Sequence, residues 1–202
     1  EEALQARRET LGDRHPDTLT SISDMGVLLK GMGKLQEARP LYEEALQGYR
    51  ETLGDRHPWT LISINNMGVL LKNMGKLEEA GPLCEEALRA GRETLGDRNP
   101  DTLVWIGNMG LLLKEMGKLE EARPLYEEDL QASRETLGGR HPNTLISICN
   151  MGDLLKEMGQ LEEARPLLEE AVQVGKETLG DRHPHTLFFT QHLDLLLKAM
   201  GE

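Results

Sequence analysis

Residues 9–16 read ETLGDRHP, and the same eight letters return at 51–58 and 177–184. Close variants occupy 93–100, with Asn99 in place of His, and 135–142, with Gly139 in place of Asp. An Asp, an Arg and a His beside a Gly would suit an active site, yet a site is seldom built five times. Pro58 follows Pro16 by 42 residues, and the later copies keep the step. A period of about 20–50 residues marks a repeat architecture, in which each unit buries its apolar face only against its neighbours.

Set out at that period, Met25, Met67, Met109, Met151 and Leu193 align, as do Gly26, Gly68, Gly110 and Gly152, with Asp194 breaking the series. Leu19, Ile22, Met25, Gly26, Leu29 and Met32 fall on one helical face and predict a helix A over about residues 16–31. A second stripe of Leu35, Ala38, Tyr42, Ala45, Leu46 and Tyr49 predicts a helix B, with Glu37, Glu43 and Glu44 outside. Gly33 turns the chain between the two, Gly12 and its copies stop helix B, and Pro16 and its copies open helix A, where Asp17 or Asp101 complements the positive helix end. Asp13, Arg14 and His15 are then connector residues. Gly26 and its copies lose about 1 kcal/mol against Ala in a helix, so their return predicts close approach to Ala38, Ala80, Ala122 and Ala164 of helix B. Pro40, Pro82, Pro124 and Pro166 lie past the first turn and predict a slight bend early in each helix B.

The order is therefore a partial helix B at 1–11, full A–B repeats at 16–53, 58–95, 100–137 and 142–179, and a final helix A at 184–202, all in one solenoid spanning 1–202. Both ends stop inside the pattern, and the first residue is not Met, which reads as a piece of a longer protein.

Composition narrows the function. A net charge of −12 argues against nucleic acid, whose binding rests on clustered Lys and Arg. No apolar run nears the ~18 residues a membrane span requires, and no charged-then-apolar leader opens the chain. Cys84 and Cys149 occupy different repeat positions without a CxxC, which predicts reduced, buried thiols in a cytoplasmic protein. Packed helices stand about 8–10 Å apart, so His15, His57, His141 and His183 cannot converge on one ion. Neither a metal nor any other cofactor is implied, and no nucleophile–base pair or phosphate loop points to an enzyme.

GKLQEARPLYEEAL at 33–46, with small residues at Ala38 and Ala45 and an aromatic at Tyr42, resembles the tetratricopeptide repeat. The 42-residue period and the LGDRHP connector are similar to the long-helix variant of kinesin light chains and nephrocystin-3-like proteins. That resemblance covers the whole chain and implies an all-α, right-handed superhelical solenoid of antiparallel helix pairs, with the A helices lining its concave side.

The side of helix A turned away from helix B should be polar if it meets only water. Instead it reads Ile62, Asn66, Val69 and Asn73 in the second repeat, Val104, Asn108, Leu111 and Glu115 in the third, Ile146, Asn150, Asp153 and Glu157 in the fourth, and Phe188, His192, Leu195 and Ala199 in the fifth. Side-chain amides offer a donor and an acceptor to the backbone of an extended peptide, and aliphatic neighbours take its alternate side chains. The resemblance implies the same role for Asn66, Asn108 and Asn150, while Asp24 and His192 replace them at the two ends. Lys72, Lys114 and Lys156 flank this strip and offer it positive charge. The sequence thus predicts a non-enzymatic scaffold for an extended protein segment, with about micromolar affinity. The alternative is an architectural module that self-associates end to end through its uncapped terminal helices.

Overall fold

The computed structural model describes residues 2–202. They form α1 (Glu2–Leu11), α2 (Pro16–Gly31), α3 (Leu35–Leu53), α4 (Pro58–Asn73), α5 (Leu77–Thr94), α6 (Pro100–Glu115), α7 (Leu119–Thr136), α8 (Pro142–Glu157), α9 (Leu161–Leu179) and α10 (Pro184–Met200), with no strand among the described residues. Glu1, assigned above to the opening partial helix B, lies outside the described residues. Helices α2, α4, α6, α8 and α10 are the A helices of the pattern, and the others are its B helices.

The recurring connector turns out to be a set of caps and staples. His15 Nδ1 accepts the backbone N–H of Asp17 at 3.2 Å, and His57, His141 and His183 do the same for the residue two further on. Asn99, the one departure at this position, accepts from Asp101 N through Oδ1 at 2.8 Å. The imidazole thus stands in for the usual Asn or Ser N-cap, and the His-to-Asn change preserves the job. These residues are therefore helix caps and not mere linkers. Each B helix ends on a glycine such as Gly54, at φ 85 and ψ 165, a region that essentially only glycine adopts.

The connector's charges tie repeats together. Arg8 reaches Asp13 at 2.7 Å and Glu44 at 2.8 Å, and Arg50 repeats this with Asp55 at 3.3 Å and Glu86 at 2.7 Å. Arg14 pairs with Glu51, Arg56 with Glu93, Arg98 with Glu135 and Arg140 with Glu177. Gly139 removes the connector carboxylate from Arg134, which keeps Glu170 at 2.7 Å. Exposed pairs of this kind contribute about 0–1 kcal/mol each, so they serve registration between successive helix pairs more than stability.

The helices group into two compact units, Glu1–Asp97 and Arg98–Glu202. In the first, Leu19, Ile22, Ala45 and Tyr49 are buried together, backed by Leu4, Leu41 and Leu53. In the second, Ala122, Tyr126, Leu145, Ile148, Leu154, Leu168 and Phe189 belong to one buried cluster. The glycines that recur in helix A do mark close helix approach, with the nearest atoms one turn from the expected alanines, although at Gly152 the Ala164 carbonyl oxygen also lies 3.5 Å from the Cβ position. A Cβ on Gly26 would lie 3.2 Å from the Tyr42 ring, on Gly68 2.7 Å from Cys84 Sγ, on Gly110 2.9 Å from Tyr126, and on Gly152 2.8 Å from Leu168. The large residue at that turn of helix B fills the space the missing side chain leaves, while Ala38 and its copies are buried alongside.

Pro40, Pro82, Pro124 and Pro166 all sit within helices that continue through them, each on the exposed side where the freed carbonyl can meet water. Cys84 and Cys149 are buried and unpaired, and burial pushes their thiols up to about 11 and about 12. Among the described residues no helix is long and apolar enough to cross a membrane.

Candidate functional site

Helices α2, α4, α6 and α8 each pack on the B helix that follows, and α10 packs on α9. On the strip of α4 read from the sequence, Ile62 and Asn73 are exposed, while Asn66, Val69 and Lys72 are half-buried. In the second unit Val104 on α6 is 44% exposed, and Asn108, Leu111, Ile146 and Asn150 are half-buried. Phe188 on α10, at the register position of Ile62 and Val104, is exposed as well. A branched or aromatic side chain is therefore displayed at this register on α4, α6 and α10, while Ile146 on α8 is half-buried against the unit's core.

In the second unit α8 touches both α6 and α10. Val104, Asn108, Ile146 and Asn150 meet around a 260 Å³ pocket, to which α7 contributes Asp129 and Ser133, and α8 also gives Asn143 and Ser147. Leu111 and Ile146 pack against the unit's core from this side. Asp129 is 5% exposed and accepts from Ser133 Oγ at 3.3 Å. Burial pushes its carboxyl up to about 6 against the hydrogen bonds of Ser147 and Ser133.

Asp129, Ser133 and Gly107 had no place in the sequence-derived strip; Asp129 departs from a uniform register, and the other two lie at registers that vary between copies. Asp129 stands where Ala45, Ala87 and Ala171 do; Ser133 stands where Tyr49, Gly91 and Gly175 do; and Gly107 stands where Ser23, Asn65, Cys149 and Gln191 do. The changes are coupled in space, because a Cβ on Gly107 would lie 3.3 Å from Asp129 Oδ2. Comparing the copies for their differences, rather than for their pattern, is the signal that finds them.

Two of the flanking lysines, Lys114 and Lys156, are held by carboxylates. Lys114 is paired with Asp153 and, at 2.9 Å, with Glu157; Lys156 lies 2.5 Å from Asp153, and His192 Nδ1 2.9 Å from it. Asp153 occupies the register of Val69 and Leu111, so this one substitution draws both lysines inward, toward their own protein. Burial alone would raise Asp153, but hydrogen bonds from His192, Lys114 and Lys156 outweigh it and hold the carboxyl well below the usual range. Burial likewise works against the Lys114 ammonium, and its two carboxylates more than offset that. In the first unit the half-buried Lys30 is pushed down by burial and then by the charge of Lys72. Lys114 and Lys156 are thus turned toward carboxylates of their own unit. Among the described residues no three His, Cys, Asp or Glu side chains gather in a way that could hold a metal ion.

This arrangement of paired helices has known counterparts. The model of a family described as tetratricopeptide repeat matches residues 1–51, 20–80, 59–128 and 103–177. The crystal structure of the nearly identical TPR-like repeats of a kinesin light chain candidate from Podosopora anserina superposes with a TM-score of 0.76, at 28% identity over 93% of this chain and 89% of that one. A single-substitution form of the same repeats gives 0.77 at 28% identity, over 93% of this chain and 88% of that one. BtubC (BKLC) from P. vanneervenii shares the fold, with a TM-score of 0.78 at 20% identity over 99% of this chain and 79% of that one. No curated protein matches the sequence.

Proposed function

The chain belongs to the tetratricopeptide repeat family, and from that premise we propose that it is a non-enzymatic cytoplasmic scaffold whose open A-helix faces hold an extended segment of another protein. Tetratricopeptide repeats generally serve as protein-interaction modules. The observation that carries the finer reading is the display of Ile62, Val104 and Phe188 at one register of the A helices α4, α6 and α10, each at least a third exposed, with half-buried Asn66 and Asn108 one turn further on α4 and α6. Repeated apolar exposure beside amides suits an extended chain: the aliphatics receive side chains and the amides receive backbone groups. Val69, Asn73, Leu111, Ile146 and Asn150 extend the same faces.

A random-peptide display library selected on the whole chain tests this. Fluorescence anisotropy of a selected peptide should show about micromolar binding, weakened about tenfold or more in N66A/N108A, as expected for losing two hydrogen-bonding amides. Unchanged affinity in that variant, with helicity intact, removes the amides from the mechanism.

Self-association is the second reading. Leu187 on α10 is 56% exposed, although its register equivalents Leu19, Leu61, Leu103 and Leu145 are buried, and Phe188 and Leu195 add to the same helix's apolar surface. Mass that rises with concentration by light scattering, and falls in L187E, supports it; a monomer at every concentration rejects it.

A further inference from the structure

We propose that the pocket between α6, α7 and α8 is a subsite for one cationic side chain, lysine or arginine, of the bound segment, with Asp129 as its counter-charge. This rests on the groove reading above and specifies what one part of the groove selects.

Asp129 is the only ionisable side chain among the described residues lining the pocket, and no lysine or arginine lies beside it there. A carboxylate has about four acceptor positions. Here it is served by two hydroxyls, and Ser147 also lies within reach of Asn143 O at 3.1 Å and Ser133 Oγ at 3.5 Å, so its single proton is divided. A buried carboxylate so poorly supplied is held at an electrostatic disadvantage that an arriving cation relieves.

The walls suit such a guest. Gly107 places no side chain over Asp129 Oδ2, where a Cβ would come within 3.3 Å. Val104 and Ile146 provide aliphatic contact for a methylene stem, and Asn108 and Asn150 also belong to the lining. At 260 Å³ the pocket lies below the about 300–1,000 Å³ of small-molecule sites and is scaled to a side chain instead. Asp129 replaces an alanine that stands at this register in the other B helices, so the charge is local and not a feature of the scaffold.

Two experiments decide it. Backbone amide shifts of Asn108, Ser147 and Asn150 are followed by NMR as n-butylguanidinium, or its neutral isostere n-butylurea, is added to the whole chain at neutral pH. The expected result is saturable shifts with the cation, and about thirtyfold or more weaker binding for n-butylurea, for D129N and for D129A, the size of losing one buried charge pair. Alanine occupies this register in the other copies, so D129A keeps the fold, which circular dichroism verifies. Equal shifts with the urea, or undiminished binding in both variants, overturn the subsite. In the second experiment, display selection on wild type should enrich Lys or Arg at one fixed position, and selection on D129A should lose that preference while still yielding binders. Binders without a fixed cation sink the subsite and leave the groove. No binders to either protein sinks the groove reading, and the n-butylguanidinium titration then still decides the pocket's preference.

Discussion

Replacing Asp129 with Ala should make unit 2 more stable at alkaline pH, and the gain should vanish in acid. Asp129 is raised from its ordinary 3.8 to about 6, chiefly by burial, with Glu128 adding a small push in the same direction. At about 1.36 kcal/mol per pKa unit, that rise corresponds to about 3 kcal/mol between the ionised and neutral forms. The folded-state value lies above the unfolded one. Asp129's contribution to stability is therefore fully present below 3.8 and is lost as pH rises through about 6. Loss of two hydroxyl hydrogen bonds at about 1 kcal/mol each offsets part of the alkaline gain, but that offset does not change with pH in the same way. Urea unfolding of wild type and D129A across about pH 4 to pH 8 isolates the effect, because everything the two proteins share cancels in the difference. The difference should drift by about 3 kcal/mol in favour of D129A as pH rises, with most of the change between 3.8 and about 6. A difference that stays flat refutes the reasoning.

Asp153 should behave in the opposite sense. Its folded value is depressed, so the stability it brings is present above the ordinary carboxylate range and lost as pH falls below about 4. D153N leaves Lys114 and Lys156 crowded without their shared partner and should cost about 3 kcal/mol in urea unfolding near neutral pH. At the connector, H57A should lose about 1 kcal/mol through the missing cap, while H57N, which copies Asn99, should hold the urea midpoint of wild type. Gly68→Leu forces its first carbon to 2.7 Å from Cys84 Sγ and should lower stability by about 1–3 kcal/mol or more, read as a lower thermal midpoint.

The helices and their order were legible because the 42-residue step puts the same Pro at every A-helix start and the same Gly at every B-helix end, and these residues act locally. The caps were hidden because a histidine's acceptor nitrogen is not a usual N-cap, although the Asn99 replacement hinted at it. Gly26 signalled a close contact correctly, but its partner depends on where two helices cross, and periodicity does not fix that point. Tyr42 therefore took the place expected of Ala38. The lysine ladder looked uniform in sequence, and the inward turn of Lys114 and Lys156 comes from Asp153, which also meets His192 on the next repeat. Asp129 was invisible to a reading that prized the pattern, since its meaning lies in breaking it.

The most direct test of the account is to attach a nitroxide spin label to a display-selected peptide and map amide line broadening over the whole chain. Broadening centred on the open sides of the A helices, at Asn66, Val69, Asn108 and Asn150, is the result the groove predicts. Broadening confined to the outer B-helix surface around Glu85 and Glu127, with those A-helix amides untouched, would contradict it.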